Sequence, residues 1–439
     1  MKAFENVRGM RDFLPQELAK RRFIESKVRE CFQIYGYEEV ETPIIEYFEL
    51  LSMRAGEEIR HRMYAFKDLG GRKVALRPEM TASFARVVAT KLRSEAKPLR
   101  LGYIANCFRY DNPQMGRYRE FWQAGFELFG SSRLEADAEI IIVNNDLMKR
   151  LGFSGFFIKI GDVRILRGLL NSEGVSEDDQ NTIMGLVDKR KVKSVLTFLE
   201  QKKVSDGCLK TVKKLLELRG TDCRKILEDG KRILSQNERS LEALEDLEAI
   251  INLARVGGVD TTFLVDVGFA RGLEYYTGMI YEVFIPELGI ALGGGGRYDK
   301  LVELFGGEPT PAVGCAPGID RIVLAMEKKG LFSGQLSTIN RVLIIPVGDD
   351  LSAKALEIAA NLRRNGISAQ NEVVGRNIGS ALSYADKKGY AYAIIVGPRE
   401  LEKGCIILRN MKVKEQKEVH LVNLVNEMSL MTRISLKSI

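Results

Sequence analysis

Strand-like and helix-like hydrophobic patterns occupy separate stretches of this 439-residue chain, and their order limits its architecture. Residues 101–109 and 119–129 read as two strands joined by a polar loop, Asp111-Asn112-Pro113-Gln114-Met115-Gly116. Helical periodicity runs over 15–35, ending before Gly36, and over 134–151. From about 165 to 258 charged residues dominate, with Leu241, Leu244, Leu247, Ile250 and Ile251 at helical spacing and no convincing strand. Gly257-Gly258 closes that stretch. Strand patterning resumes at Phe263–Val267 and Met279–Phe284, and 317–328 reads as helix. The order predicts a strand-bearing core over 1–164 and 259–328, split by a helical insertion over 165–258. After a linker at 329–340, strands Val342–Val347, Ile367–Val373 and Ala391–Val396 alternate with helices Leu351–Arg364 and Ile378–Lys388. Such alternation predicts a separate α/β domain over 341–439 with a mostly parallel sheet. Length agrees, since single cores stop growing near roughly 250–300 residues.

The chain has two histidines, His61 and His420, far apart and each without a neighbouring histidine or cysteine. A His-rich metal centre is thereby excluded, and a Ser–His or Cys–His nucleophile is disfavoured. No metal site is expected in the chain itself, and its chemistry must rest on Arg, Glu, Tyr and Gly. Six scattered cysteines without a Cys-x-x-Cys pair read as reduced thiols of a cytosolic protein. The N-terminal residues are mixed in charge, so no signal peptide is expected, and no apolar run approaches the ~18–20 residues that span a bilayer. The net charge of +7 is uneven. Residues 341–439 carry 15 basic and 10 acidic groups, while 259–340 carry 6 and 10. The basic C-terminal excess suits a polyanionic partner and equally suits a solvated surface.

Five clusters could carry chemistry. In Phe108–Gln123, alternation puts Phe121, Gln123, Gly125 and Glu127 on one strand face, with Arg109 and Arg117 close by. Arginine forks match phosphate oxygens and a flat ring suits a nucleobase; the plainer reading is a hairpin with surface arginines and a core Phe. In Arg271-Gly272-Leu273-Glu274-Tyr275-Tyr276, two tyrosines could line a polar-tipped pocket, or pack at a turn. Gly293–Gly296 followed by Arg297-Tyr298-Asp299 allows close backbone approach to a ligand or serves as a flexible connection, and is neither a P-loop nor a dinucleotide fingerprint. Gly314–Arg321 is a Gly-rich strand exit into a helix carrying Arg321. In Leu76–Thr81, Glu79 could bind an amine or charge a helix N-terminus.

Taken in order, these segments resemble the histidyl-tRNA synthetases, a family of class II aminoacyl-tRNA synthetases. The likeness begins at Val7–Asp12. Tyr37–Pro43 resembles motif 1, 108–123 motif 2 in its histidine-specific form, Arg271–Tyr276 and Gly294–Asp299 the two histidine signatures, and Gly314–Arg321 motif 3. The resemblance implies an α+β catalytic domain with an antiparallel sheet flanked by helices. It assigns 341–439 to anticodon binding, a likeness carried particularly by the stretch from Arg376 through Lys388, and 165–258 to the acceptor arm. It implies ATP-dependent ligation of L-histidine to its tRNA through histidyl-adenylate, with Mg²⁺ accompanying ATP, in a cytoplasmic homodimer with no membrane association.

Residue by residue, the resemblance gives Glu79 and Thr81 the α-amino group, Gln123 the carboxylate, and Arg109 and Arg271 the α-phosphate. It gives Arg117 the outer phosphates, Phe121 and Arg321 the two faces of adenine, and Glu127 with Tyr275 and Tyr276 the imidazole. Arg271, Arg109 and Gln123 are the expected catalytic residues. Glu274, where Asp is more usual, and Pro317 in motif 3 depart from the pattern. The alternative is a non-catalytic relative, the regulatory subunit of ATP phosphoribosyltransferase, which lacks the anticodon domain and signature residues. This chain keeps both.

Overall fold

The computed structural model describes residues 4–113, 116–333 and 341–437, with the side chains of 432–437 left out of account. The chain divides into two compact units, Met1–Phe332 and Ser333–Ile439. Most of the expected linker, 334–340, lies outside the described residues.

In the first unit the strands are β1 (Glu38–Glu39), β2 (Ile45–Tyr47), β3 (Ala65–Lys67), β4 (Lys73–Leu76), β5 (Leu99–Phe108) and β6 (Glu120–Phe129). They continue with β7 (Phe157–Asp162), β8 (Arg219–Gly220), β9 (Thr262–Asp266), β10 (Met279–Ile285), β11 (Ile290–Arg297) and β12 (Ala312–Cys315). Nine of them form one sheet in the order β1-β5-β6-β12-β11-β10-β7-β9-β8, and β2-β4-β3 form a small one. Six of the eight pairings in the large sheet are antiparallel; β1–β5 and β7–β9 are parallel. The long β5–β6 hairpin is in register from Leu99↔Phe129 to Phe108↔Glu120. Its aromatic face receives the helix Pro15–Tyr35, whose proline sits at the first helical turn and whose end is the left-handed Gly36 (φ 70°). Phe32 and Tyr37 meet Phe126 edge-on at 5.0 and 5.3 Å.

The stretch 165–258 is almost wholly helical, as the periodicity predicts. Its polar residues set the helix starts: Ser176, Ser205, Asp222 and Asn237 each accept the main-chain N–H three residues on. Leu244, Leu247, Ile250 and Ile251 are buried. One departure is β8, a two-residue strand that pairs with β9 and so extends the main sheet. Too short to show alternation, it left no mark in the sequence pattern. Arg190 reaches the fully buried Asp266 at 2.6 Å and Arg164 bridges Asp162 and Asp246, tying these helices to the sheet.

In the second unit β13 (Val342–Pro346), β14 (Ala369–Asn371), β15 (Tyr392–Val396), β16 (Cys405–Asn410) and β17 (Gln416–His420) form a sheet of order β14-β13-β15-β16-β17. It is evenly mixed, not mostly parallel: β13 pairs in parallel with β14 and β15, and β16 and β17 add on antiparallel. The hairpin β16–β17 was not anticipated, because Gln416–His420 is exposed at all but Val419 and carries little apolar signal. The strand expected over Ile367–Val373 ends at Asn371, since the Glu372 carboxylate draws in the N–H groups of Val374, Gly375 and Arg376 as a turn. β13 alternates Val342 and Ile344 toward one face with Leu343 and Ile345 toward the other, so both faces of the sheet are covered. Among the described residues no helix is long and apolar enough to cross a membrane.

Candidate active site

A cleft of about 460 Å³ spans the middle of the nine-stranded sheet and is lined from β5, β6, β7, β10, β11 and β12. All the sequence-predicted site residues except Glu127 line it: Glu79, Thr81, Arg109, Arg117, Phe121 and Gln123 from the first half of the chain, with Arg271, Tyr275, Tyr276 and Arg321 from the second. Residues more than 140 positions apart in sequence thus share one wall because β6 and β11 both pair with β12.

The glycine-rich segment makes this approach possible. A Cβ on Gly294 would meet Arg271 Nη1 and the Tyr281 carbonyl; one on Gly295 would meet the Gly314 carbonyl; one on Gly314 would meet the Glu127 carboxylate. Arg297, within the same segment, is structural: it forks onto buried Asp137, with Nη2 at 2.6 Å and Nε at 3.0 Å, and also holds Asp299. Pro317 ends the strand exit, its carbonyl accepting from Ala124 N–H at 3.0 Å, and the helix begins only at Ile319. Glu274 pairs with Arg60 at 3.4 Å.

Arg109 and Arg271 each spend one guanidinium N–H on a main-chain carbonyl, Pro78 at 2.8 Å and Tyr281 at 3.0 Å, and make no other side-chain hydrogen bond among the described residues. The rest of each fork is left to the cleft. Arg109 stands 5.2 Å over the Phe121 ring. Arg117 is held by Asp111 at 2.7 Å, and Arg321 donates to the Ala291 carbonyl at 3.1 Å. Asp320 accepts from Trp122 N–H at 2.6 Å and pairs with Arg11, which fixes the start of β6 beside Phe121. Gln123 faces the cleft with its Oε1 3.4 Å from Cys107 Sγ.

Of the acidic residues, Glu79 follows one of its two readings and Glu127 departs from its expected place on the cleft wall. Glu79 accepts from the N–H groups of Thr81 (2.7 Å) and Ala82 (2.9 Å), so it does charge a helix start, that of Thr81–Thr90, while still lining the cleft. Burial raises its carboxyl above the ordinary range. Glu127 is fully buried behind the wall. Thr81 Oγ1 donates to it at 3.2 Å and the Tyr298 hydroxyl donates to its other oxygen. Burial pushes its carboxyl up to about 8, against the pull of these two hydroxyls. Tyr275 and Tyr276 stack obliquely at 4.9 Å, and Tyr275 meets Tyr298 edge-on at 5.7 Å.

Tyr103, Lys159, Asp188 and Glu282 line the cleft without being expected there from sequence, and Tyr298, from the glycine-rich cluster, lines it too. Glu282 carried a signal, an acid in the apolar run Met279–Phe284 whose strand alternation turns it toward the cleft. Lys159, over the Phe269 ring at 3.7 Å, and Asp188, at a helix end in the insertion, gave none.

A model of the histidyl-tRNA synthetase family matches residues 9–322, and one of the anticodon binding domain matches 341–429. The chain belongs to the histidyl-tRNA synthetase family. Relatives named histidine--tRNA ligase include that of Methanocaldococcus jannaschii, 42% identical over 96% of this chain and 99% of its own, and that of Pyrococcus abyssi, 42% identical over 96% and 98%. The crystal structure of histidyl-tRNA synthetase from a Nostoc species shares the fold, with a TM-score of 0.77 at 24% identity over 98% of this chain and all of that one. A Bacillus halodurans structure described as an ATP phosphoribosyltransferase regulatory subunit/histidyl-tRNA synthetase covers 87% of this chain and 96% of its own at 28% identity, with a TM-score of 0.74. The family's match ends at 322, so Arg321 falls inside it and β13 onward outside it.

Proposed function

We propose that the chain ligates L-histidine to its tRNA in two steps. A carboxylate oxygen of histidine attacks the α-phosphorus of ATP; the bond to the bridging oxygen breaks, giving histidyl-adenylate and pyrophosphate. A ribose hydroxyl at the tRNA 3′ end then attacks the carbonyl carbon and AMP leaves. The observation that carries this reading is the meeting of Arg109, Arg271 and Gln123 in one cleft with the Tyr275–Tyr276 wall. Two arginines with most of their donors unspent suit the charge that builds on the α-phosphate in the transition state. Gln123, which lines the same cleft, is the group to orient the attacking carboxylate. Phe121 and Arg321 take the adenine, and Arg117 the outer phosphates.

In this reading Glu79 and Thr81 receive the α-amino group. The imidazole faces Tyr275 and Tyr276, with Glu127 acting from behind through the Thr81 and Tyr298 hydroxyls that hold it. No protein nucleophile is required, in keeping with a chain of two histidines, His61 and His420, both outside the cleft. Among the described residues no three Asp, Glu, His or Cys side chains cluster to hold a metal. The donor set fits Mg²⁺ carried on the phosphates, with Glu282, which lines the same cleft as Arg271, as the available carboxylate. When bound, the ion offsets phosphate charge. The tRNA-reading role of 341–439, a cytoplasmic location and a homodimer complete the proposal. The regulatory-subunit alternative is set aside because the cleft keeps its arginines and the anticodon-domain match is present. Pyrophosphate exchange run with each of the twenty amino acids tests the reading; exchange that does not single out histidine contradicts it.

A further inference from the structure

Five side chains of alternating sign run from the insertion to the cleft. Lys189, just past the helix Glu177–Asp188, lies 3.2 Å from Glu58 Oε2. The other oxygen of Glu58 lies 2.7 Å from Arg62 Nη2. Arg62 Nη1 lies 2.9 Å from Asp111 Oδ1, an ion pair without hydrogen-bond alignment, and Arg117 Nε donates to Asp111 Oδ2 at 2.7 Å. Glu58, Arg62, Asp111 and Arg117 all line the cleft. Asp111 is the pivot: its side chain is 7% exposed and serves one arginine on each oxygen. The neighbouring Arg190 fastens the insertion end of the relay by pairing with buried Asp266.

We propose that Glu58 is a positioning residue for nucleotide binding, setting the pose of Arg117 through Arg62 and Asp111 and linking that pose to the insertion through Lys189. The inference rests on the proposed role of Arg117 at the outer phosphates. The sign of the effect follows from competition. Glu58 occupies one end of the Arg62 fork. Without it, Arg62 turns wholly to Asp111 and draws that carboxylate from Arg117, which loses its anchor. The five charges sum to +1, which leaves the chain with a net attraction for phosphate.

The test is histidine-dependent ATP–pyrophosphate exchange with the full chain. Glu58→Gln should raise the ATP KM about threefold, the size of coupling an exposed ion-pair network supports, and leave kcat and the histidine KM unchanged. Lys189→Ala should move the ATP KM in the opposite direction, because Glu58 freed of Lys189 holds Arg62 more fully and leaves Asp111 to Arg117, whereas Lys189→Arg, which keeps the charge, should match the wild type. Adding Glu58→Gln to Arg117→Ala should change nothing further. An unchanged ATP KM in Glu58→Gln, or effects that multiply in the double variant, overturns the relay. Wild-type behaviour of Lys189→Ala overturns its link to the insertion. Arg117→Ala with an unchanged ATP KM overturns the phosphate role itself and the relay with it.

Discussion

Glu127 binds its proton more tightly in the folded chain than unfolded, because the folded site removes the carboxyl from water. Its contribution to stability is complete below the unfolded carboxyl range, near ~4.3, and is lost as pH rises through about 8. In urea unfolding between pH 5 and 9, the wild type should therefore lose more than about 1 kcal/mol relative to Glu127→Gln, whose amide does not titrate. Parallel pH profiles would contradict this. The same variant should weaken histidine selection and spare ATP binding. Arg271→Ala should lower histidine-dependent exchange by at least about 100-fold, the usual cost of removing one preorganised donor, with tRNA affinity nearly intact. Exchange at the wild-type rate would remove Arg271 from the α-phosphate. The cleft-facing arginines were legible because guanidinium groups are out of place in a core, and the buried tyrosines because their segment resembles a histidyl-tRNA synthetase signature. The enclosure of Glu127 was not, since it depends on Tyr298, 171 residues away in sequence.

At the scale of elements, β11 is held by what its glycines lack. Gly294→Ala would press a methyl on Arg271 Nη1 and the Tyr281 carbonyl, and overpacking of this kind costs about 1–3 kcal/mol. The expected outcome is a lower melting temperature together with a loss of exchange that exceeds the loss of folded protein; a variant with unaltered exchange would show that Arg271 can shift freely. Long elements with a continuous apolar period, such as Pro15–Tyr35, Leu134–Arg150 and the β5–β6 pair, were readable within a residue or two. Some misses were short or solvent-facing, while β7 and β16 are six-residue strands without an exposed residue, whose apolar runs the pattern reading passed over. β8 has two residues, and β17 is nearly all exposed. Glu372, whose carboxylate ends β14 early, works by a side-chain hydrogen-bond pattern that hydrophobic periodicity does not register.

For the whole molecule, each compact unit has buried clusters of its own, so the two should separate functionally. Deleting 341–439 should cost tRNA affinity more than adenylate formation, measured by tRNA binding beside pyrophosphate exchange; equal loss of both would argue against a separable tRNA-reading domain. The division was visible in sequence because the strand–helix rhythm changes after 340, whereas the joining of the insertion to the sheet through β8 and the Arg190–Asp266 pair arises only in three dimensions. The nine-stranded sheet itself begins and ends on two-residue strands, β1 and β8. Each terminal strand therefore gives a stranger only two residues to extend, the short-edge device that disfavours edge-to-edge pairing along it.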